Sequence, residues 1–480
     1  DVHMSRGLGD VYKRQDISMS IVSDASQKLN LIQKISLAAV GFGILLLFMA
    51  WGNVSQIQSA SFLASSLGLI AIGTLSFSYF QYKNRPEGIK NNGVMFGQMT
   101  ARGITAWIAT IVITGFYVLL YWYPHLLGLV KDGANTGLVG FFDPLSKALN
   151  GNPASQWFVY GTLYTLLILI MGFKFILKYR HNRYQTFRTI SVMFFQLGFA
   201  FLIPEILTSL NQPSMDLKNM WPLNYYFFFD WNLNKLTSSG MLGLFMLVWG
   251  IVMMLVISPI LTYFYGKRWY CSWVCGCGGL AETAGDSYRH LSSKKLSAWQ
   301  IERYLIHGVL VFAIVMTIMV LYTYFSGQSN ILFLNSYQLR EWYGFFIGAA
   351  FSGVVGVGFY PIFGSRVWCR FGCPMAAILG IQQKFFSRFR ITTNGGQCIS
   401  CGNCSTYCEM GIDVRSYAQK GQNIVRASCV GCGICAAVCP RGVLKLENGP
   451  VENRTQIHVR RDEVGILDCL LYTSDAADDW

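Results

Sequence analysis

Two stretches near the C-terminus carry eight cysteines in one arrangement. Residues 398–408 read CISCGNCSTYC and residues 429–440 read CVGCGICAAVCP, both following C-x2-C-x2-C-x3-C. Three thiolates on a tight loop can hold three irons of one cubane. The fourth, three residues on, begins a helix that carries it toward the other cluster. The spacing therefore predicts two [4Fe–4S] clusters, one on Cys398, Cys401, Cys404 and Cys439, the other on Cys429, Cys432, Cys435 and Cys408. Glycines 402, 431 and 433 let the backbone bend around the sulfurs. Pro440 follows the second run, and Glu409 stands at the matching place after the first. Zinc sites pair cysteines in twos at a distance and do not demand this register twice.

Five further cysteines sit in a second pattern. Segment 266–277 reads GKRWYCSWVCGC and segment 364–374 reads GSRVWCRFGCP. Aligned, they match Gly266 with Gly364, Arg268 with Arg366, Tyr270 with Trp368, Cys271 with Cys369 and Cys275 with Cys373. Internal repeats in membrane proteins commonly build a site at their interface. Each C-x3-C is expected to place two thiols one helical turn apart on one face. The preceding arginine and the following helix start would favour thiolate. Cys271, Cys275, Cys277, Cys369 and Cys373 are thus a candidate redox or soft-metal site, against a reading as small packing residues at helix ends.

The elements that must position these cysteines are apolar. Hydrophobic residues make up 53% of the 480, aromatics 15% and charged residues 13%, against about 25% charged in soluble domains. Eight runs, near 35–52, 59–80, 103–123, 157–178, 190–210, 239–265, 304–325 and 343–363, meet the length of about 20 residues that crosses a bilayer. The net charge of +14 falls in every second loop: 81–102, 179–189, 266–303 and the segment after the eighth run. By the positive-inside rule these loops, both termini and the cysteine tail are cytoplasmic, in a bacterial inner membrane. Disulfides are disfavoured on that face. The basic charge is thereby accounted for without a nucleic-acid partner; the lipid bilayer is the expected one. The opposite loop 211–238, WPLNYYFFFDWNLNKL in its middle, is expected to lay its aromatics in the headgroup belt, with a docking surface as the rival reading.

The fold class expected is mostly α: a polytopic helical membrane protein of about eight spans with a C-terminal two-cluster α+β domain of ferredoxin type. The boundaries read as 1–34 N-terminal segment, 35–189 four-helix membrane region, 190–390 membrane region with the repeated motifs, 391–450 cluster domain and 451–480 tail. Residues 1–15 and 469–480, which include Cys469, resemble translated library adaptor and stay outside the fold argument. Ionisable groups in spans are functional candidates. Glu205, after Pro204, and His307, one turn into the seventh run, are the candidate catalytic residues, each against a reading as an interfacial side chain. Lys174 and Lys178 end the fourth run and are expected to snorkel. No second histidine faces His307 from another span, which disfavours a bis-histidine haem.

The paired C-x3-C motifs followed by a tandem cluster domain resemble the membrane polyferredoxins of the quinol-dehydrogenase type, the NapH-like and NosR-like proteins, over residues 190–445. The resemblance implies electrons moving between the quinone pool or a cytoplasmic donor, the clusters and a redox partner enzyme, so the chain would act as the electron-transfer subunit of a quinol dehydrogenase. It also marks Cys271, Cys275, Cys369 and Cys373 as the family's paired membrane cysteines. Two departures stand out. Gly276-Cys277 replaces the usual proline, and four N-terminal spans are additional. An alternative is a metal-reducing or assembly factor for a copper-containing oxidase or reductase, toward which Cys277 and Met241, Met246, Met253 and Met254 lean. A redox-sensing membrane regulator is the third reading.

Overall fold

The computed structural model describes residues 29–83, 103–131, 133–331 and 334–449. Both adaptor-like ends with Cys469, the tail 451–480 and most of loop 81–102 lie outside them. Seven helices among the described residues are long and apolar enough to cross a bilayer. In chain order the helices are α1 (Leu31–Trp51), α2 (Ala60–Tyr82), α3 (Ile104–Trp122), α4 (Gly137–Asn150), α5 (Gln156–Lys178), α6 (Arg183–Ser209), α7 (Asp230–Ser238), α8 (Gly240–Tyr265), α9 (Gly276–Thr283) and α10 (Leu296–Ser326). All but α4, α7 and α9 are spanning candidates, so the chain is a multi-pass helical membrane protein.

Local sequence explains the shape of these helices. α1 and α2 form a tight hairpin because a Cβ at Gly43 would sit 2.8 Å from the Ser66 carbonyl oxygen. Ser66 Oγ donates to the Gly43 carbonyl oxygen at 2.8 Å, the small-residue packing typical of helices in lipid. α6 and α8 each widen to π geometry, at Phe195–Leu202 and Met253–Ile257. In both the wide turns run up to a proline, Pro204 or Pro259, whose missing N–H breaks the regular ladder.

The eighth apolar run is not one helix. α11 (Ser336–Trp342) continues in π geometry over Tyr343–Val355, and the chain then turns through Gly356 and Gly358 to a single helical turn at Tyr360–Phe363. A Cβ at Gly358 would lie 2.4 Å from Thr114 of α3, so the break lets the backbone pass close to its neighbour. Two connections at the end of the bundle far from the cysteine tail are also structured. α4 buries Leu138, Val139, Phe141 and Phe142 against α1, α2, α3 and α5. In loop 211–238 Tyr226 and Trp231 are exposed, whereas Phe227 and Phe229 are buried in the bundle. Phe227 packs on Gly250 of α8, and Phe229 joins Val309, Ala313 and Met316 of α10.

The C-terminal unit begins after α12 (Pro374–Phe386). Strand β1 (Arg390–Thr393) pairs antiparallel with β2 (Leu444–Glu447), in the register Arg390↔Glu447 to Thr393↔Leu444. Between them lie three short helices, α13 (Asn403–Thr406), α14 (Val414–Gln419) and α15 (Ile434–Ala437). α13 and α15 are equivalent: each starts after a left-handed glycine, Gly402 at φ 76° and Gly433 at φ 75°. This small α+β layer on a helical membrane bundle is the predicted fold class.

Candidate functional site

Two small cavities lie inside the C-terminal unit, and their walls divide the eight cysteines. One is lined by Cys398, Cys401, Cys404 and Cys439 with Pro440. The other is lined by Cys408, Cys429, Cys432 and Cys435. Each takes three cysteines from one run and the fourth from the other, the crossing that the spacing demands. The left-handed glycines reverse the chain inside each run, so that its sulfurs turn toward one cavity. The backbone amides of Ile412 and Met410 favour the Cys408 thiolate, and that of Gly431 the Cys429 thiolate, against the larger effect of burial. Burial pushes the Cys404 thiol up to about 12 and Cys429 to about 11. These sulfurs are therefore poor free thiolates and need iron's charge to lose their protons. No three His, Cys, Asp or Glu side chains among the described residues converge where one metal ion could sit. A cubane fits such a donor set better than mononuclear zinc, because each thiolate binds a different corner iron.

The repeat cysteines sit directly beneath. Cys271, Cys275, Cys369 and Cys373 are buried in one core together with Cys404, Cys429 and Cys435 of the C-terminal unit. The expectation of two thiols on one face of a continuous helix is corrected. In the first copy the helical turn Arg268–Cys271 ends, and α9 begins only at Gly276. In the second, a π turn over Trp368–Gly372 ends before Pro374 opens α12. The later cysteine of each motif is instead the N-cap of the next helix. Cys373 Sγ accepts from the Ala376 amide at 3.4 Å. The neighbouring Cys277 thiol, working against burial, holds the Cys275 thiol below its ordinary value. The thiolate expected from a following helix start is not what Cys373 shows: burial outweighs the Ala376 amide and pushes that thiol up, as it does Cys271 and Cys369. The two repeat arginines diverge. Arg366 donates to Cys369 Sγ at 3.6 Å and to the Cys271 carbonyl oxygen at 3.2 Å. Arg268 turns away, its guanidinium 4.6 Å from the Phe389 ring centre and 2.8 Å from Asn448 Oδ1.

What joins the C-terminal unit to the bundle is a chain of buried charges. Lys178 Nζ lies 2.6 Å from Asp286, which lies 2.7 Å from Arg289; Arg289 meets Glu409 at 2.6 Å. Glu409 meets Arg366 at 3.0 Å, Arg366 meets Glu282 at 2.5 Å, and Glu282 also pairs with Arg188. None of these side chains is more than 4% exposed. Cations and carboxylates alternate, so every buried charge has an opposite neighbour, the condition for tolerating it. Burial alone would raise the Glu409 carboxyl; Arg289 and Arg366 overcome that and hold it below its usual value. Lys178 therefore does not snorkel: Asp286 offers it a buried partner.

Glu409 is the residue that stands in place of proline after the first cysteine run, and it ties the Cys408 loop to Arg289 and Ser292, in the connection after α9, and to Arg366 of the second repeat. Uncharged bonds reinforce the seam. Tyr184 Oη donates to the Gly431 carbonyl oxygen at 2.8 Å, Gln185 Nε2 to Cys432 at 2.8 Å, and Gln383 Nε2 to Cys429 at 2.8 Å. Sequence reasoning found the cysteines but not this chain, whose members lie far apart in sequence. Its visible signals were Glu409 breaking the Cys-Pro pattern and the lone acids Glu282 and Asp286 in a basic loop.

The two candidate catalytic residues part company. His307 lines a cavity beside Cys369 at the seam. Glu205 accepts from Asn150 Nδ2 at 2.5 Å, at the far end of the bundle where α6 meets α4.

Similarity to known proteins follows the same division. Residues 397–444 match the family described as a 4Fe-4S dicluster domain, and residues 245–298 and 344–392, the two repeat copies, match a 4Fe-4S binding domain. The chain is thus an iron–sulfur membrane protein. It is 25% identical over 175 residues to YccM of Escherichia coli K12, a protein provisionally named for electron transport, covering 35% of this chain and 48% of that one. It is 28% identical over 160 residues to the uncharacterised protein MJ0749 of Methanocaldococcus jannaschii, covering 33% and 58%. The matches span about half the length of these relatives. No solved structure matches.

Proposed function

We propose that the protein passes electrons between the quinone pool and a redox partner enzyme, as a membrane polyferredoxin of the NapH-like and NosR-like kind. Two [4Fe–4S] clusters, on Cys398, Cys401, Cys404 and Cys439 and on Cys408, Cys429, Cys432 and Cys435, act as its wires on the cytoplasmic face. The observation that carries this reading is Arg366. One guanidinium touches the Cys271 carbonyl, the Cys369 sulfur and, through Glu409, the loop holding Cys408. A membrane thiol pair and a cluster cradle are thereby fixed at one seam, as a relay needs. The electron-transport name of the Escherichia coli relative agrees with it. Four-iron clusters supply one-electron steps when bound. The chain's own residues position them, wrap them in apolar side chains and keep a charge chain against one loop.

The metal-reducing alternative has less behind it. Met241 is 82% exposed, and although Met253 is buried in the same core as the repeat thiols, no three His, Cys, Asp or Glu donors gather around one ion among the described residues. The test is anaerobic purification followed by addition of a short-chain quinol. Cluster bleaching and an EPR signal on quinol addition are expected. Clusters that dithionite reduces but quinol does not would end the quinol reading.

A further inference from the structure

At the seam lies a cavity of about 330 Å³, the size of a small-molecule site. Its walls come from α10, α12 and two stretches of the C-terminal unit, at Met410 and Val425–Ser428. Cys369 opens into it, Met410 lies two residues from Cys408, and Ser428 precedes Cys429. One cavity therefore touches a repeat thiol and both arms of the nearer cluster cradle. The remaining wall mixes apolar side chains, among them Ile306, Ala377 and Phe385, with the cations Arg303, Arg370, Lys384 and Arg426.

Two polar groups in it have unspent capacity. Lys267 is 1% exposed, and no carboxylate pairs with its ammonium among the described residues. Its charge reaches the thiols of Cys271 and Cys429. An unpaired buried cation is costly and calls for an acceptor. The second is His307. Its Nδ1 lies 2.6 Å from the Arg303 carbonyl oxygen, which can only accept, so Nδ1 carries the hydrogen and Nε2 is free to accept. Glu302, by contrast, is spent on Arg370 at 2.7 Å. The cavity thus offers apolar side chains, a donor and an acceptor. Phe385, which lines it, and its neighbour Phe386 are 66% and 68% exposed.

We infer that this cavity is where the quinol head group binds, with Lys267 donating to one ring oxygen and the other ring hydroxyl donating to His307 Nε2. This rests on the quinone reading above and adds its place. On oxidation of a quinol here both O–H bonds break. One proton passes to His307 Nε2 and one to water at the mouth. The two electrons would pass, one each, to the clusters that Cys408, Cys429, Cys432 and Cys435 and Cys398, Cys401, Cys404 and Cys439 would hold, and the quinone would leave past Phe385.

The test is photolabelling of the purified holoprotein with an azido-quinone, followed by peptide mapping and competition with decyl-ubiquinol. Label is expected in peptides containing residues 299–307, 376–385 or 425–428. Loss of one hydrogen bond in His307→Ala weakens competition about tenfold. Val425→Trp, a change at an exposed mouth position that leaves the core intact, blocks labelling while dithionite still reduces both clusters. Label near Glu205, or unchanged labelling in both variants, overturns the assignment while quinol-dependent cluster reduction persists. Label displaced by phosphatidylglycerol and not by quinol shows a lipid site and also overturns it. Absence of quinol-dependent cluster reduction in the unaltered protein strikes the underlying reading instead.

Discussion

Glu409→Gln is the perturbation from which the seam can be read most quantitatively. The carboxylate is fully buried and holds Arg289 at 2.6 Å and Arg366 at 3.0 Å. Along the chain four cations alternate with three carboxylates, and the substitution leaves four against two. Removing one partner from a buried pair costs about 3–5 kcal/mol, because the remaining charge is stranded. Glutamine keeps the shape and one acceptor oxygen, which points to the lower end, about 3 kcal/mol, or roughly two powers of ten in the equilibrium for releasing the C-terminal unit. Denaturant titration of the anaerobic holoprotein in detergent, followed by iron–sulfur absorbance, reads that loss. Adding Arg366→Met to Glu409→Gln should cost less than the sum of the single changes by about 1 kcal/mol, since the two side chains are in contact. A Glu409→Gln protein within about 0.5 kcal/mol of the original, or strict additivity in the pair, would refute the charge-chain account.

Other expectations follow from single contacts. Cys439→Ser should remove the cluster of the first run, and Cys408→Ser that of the second; EPR of each variant would show the reverse if ligands were not exchanged between runs. Gly433→Ala forces a side chain into φ 75° and against Tyr184, 2.8 Å from its would-be Cβ. It should lower occupancy of the Cys408 cluster, measured as iron per chain. Tyr184→Phe removes one buried bond to Gly431 and should cost about 1 kcal/mol in the same denaturant titration. For the low-lying Glu409 carboxyl, stability is present above the carboxyl's unfolded value and is lost as pH falls through its lower folded one. Acid release of the C-terminal unit should thus weaken its pH dependence in Glu409→Gln.

How far the sequence could be read depends on how local each feature is. Which cysteines share a cavity was legible because C-x2-C-x2-C-x3-C dictates which sulfurs a short loop can gather and which must cross over. The repeat was legible as matched residues, but its geometry was not. The same spacing fits one helical turn or a break with an N-cap, and only the packing around Gly276 and Pro374 selects the second. The break in the eighth apolar run was hidden for a similar reason: its apolar content masks Gly356 and Gly358, where the backbone turns against α3. The charge chain was illegible because Lys178, Asp286 and Glu409 meet only once α5, the 266–303 connection and the C-terminal unit are assembled. Lys178, read as reaching for water, finds its partner 108 residues along the chain.

The most direct test of the central claim is iron and acid-labile sulfide analysis with EPR on anaerobically purified protein. Two crossed clusters predict about eight irons per chain and two interacting one-electron signals on reduction. The Cys408→Ser and Cys439→Ser variants should each fall to about half. A protein that binds zinc in place of iron, or loses both signals equally in each variant without unfolding, would contradict the account.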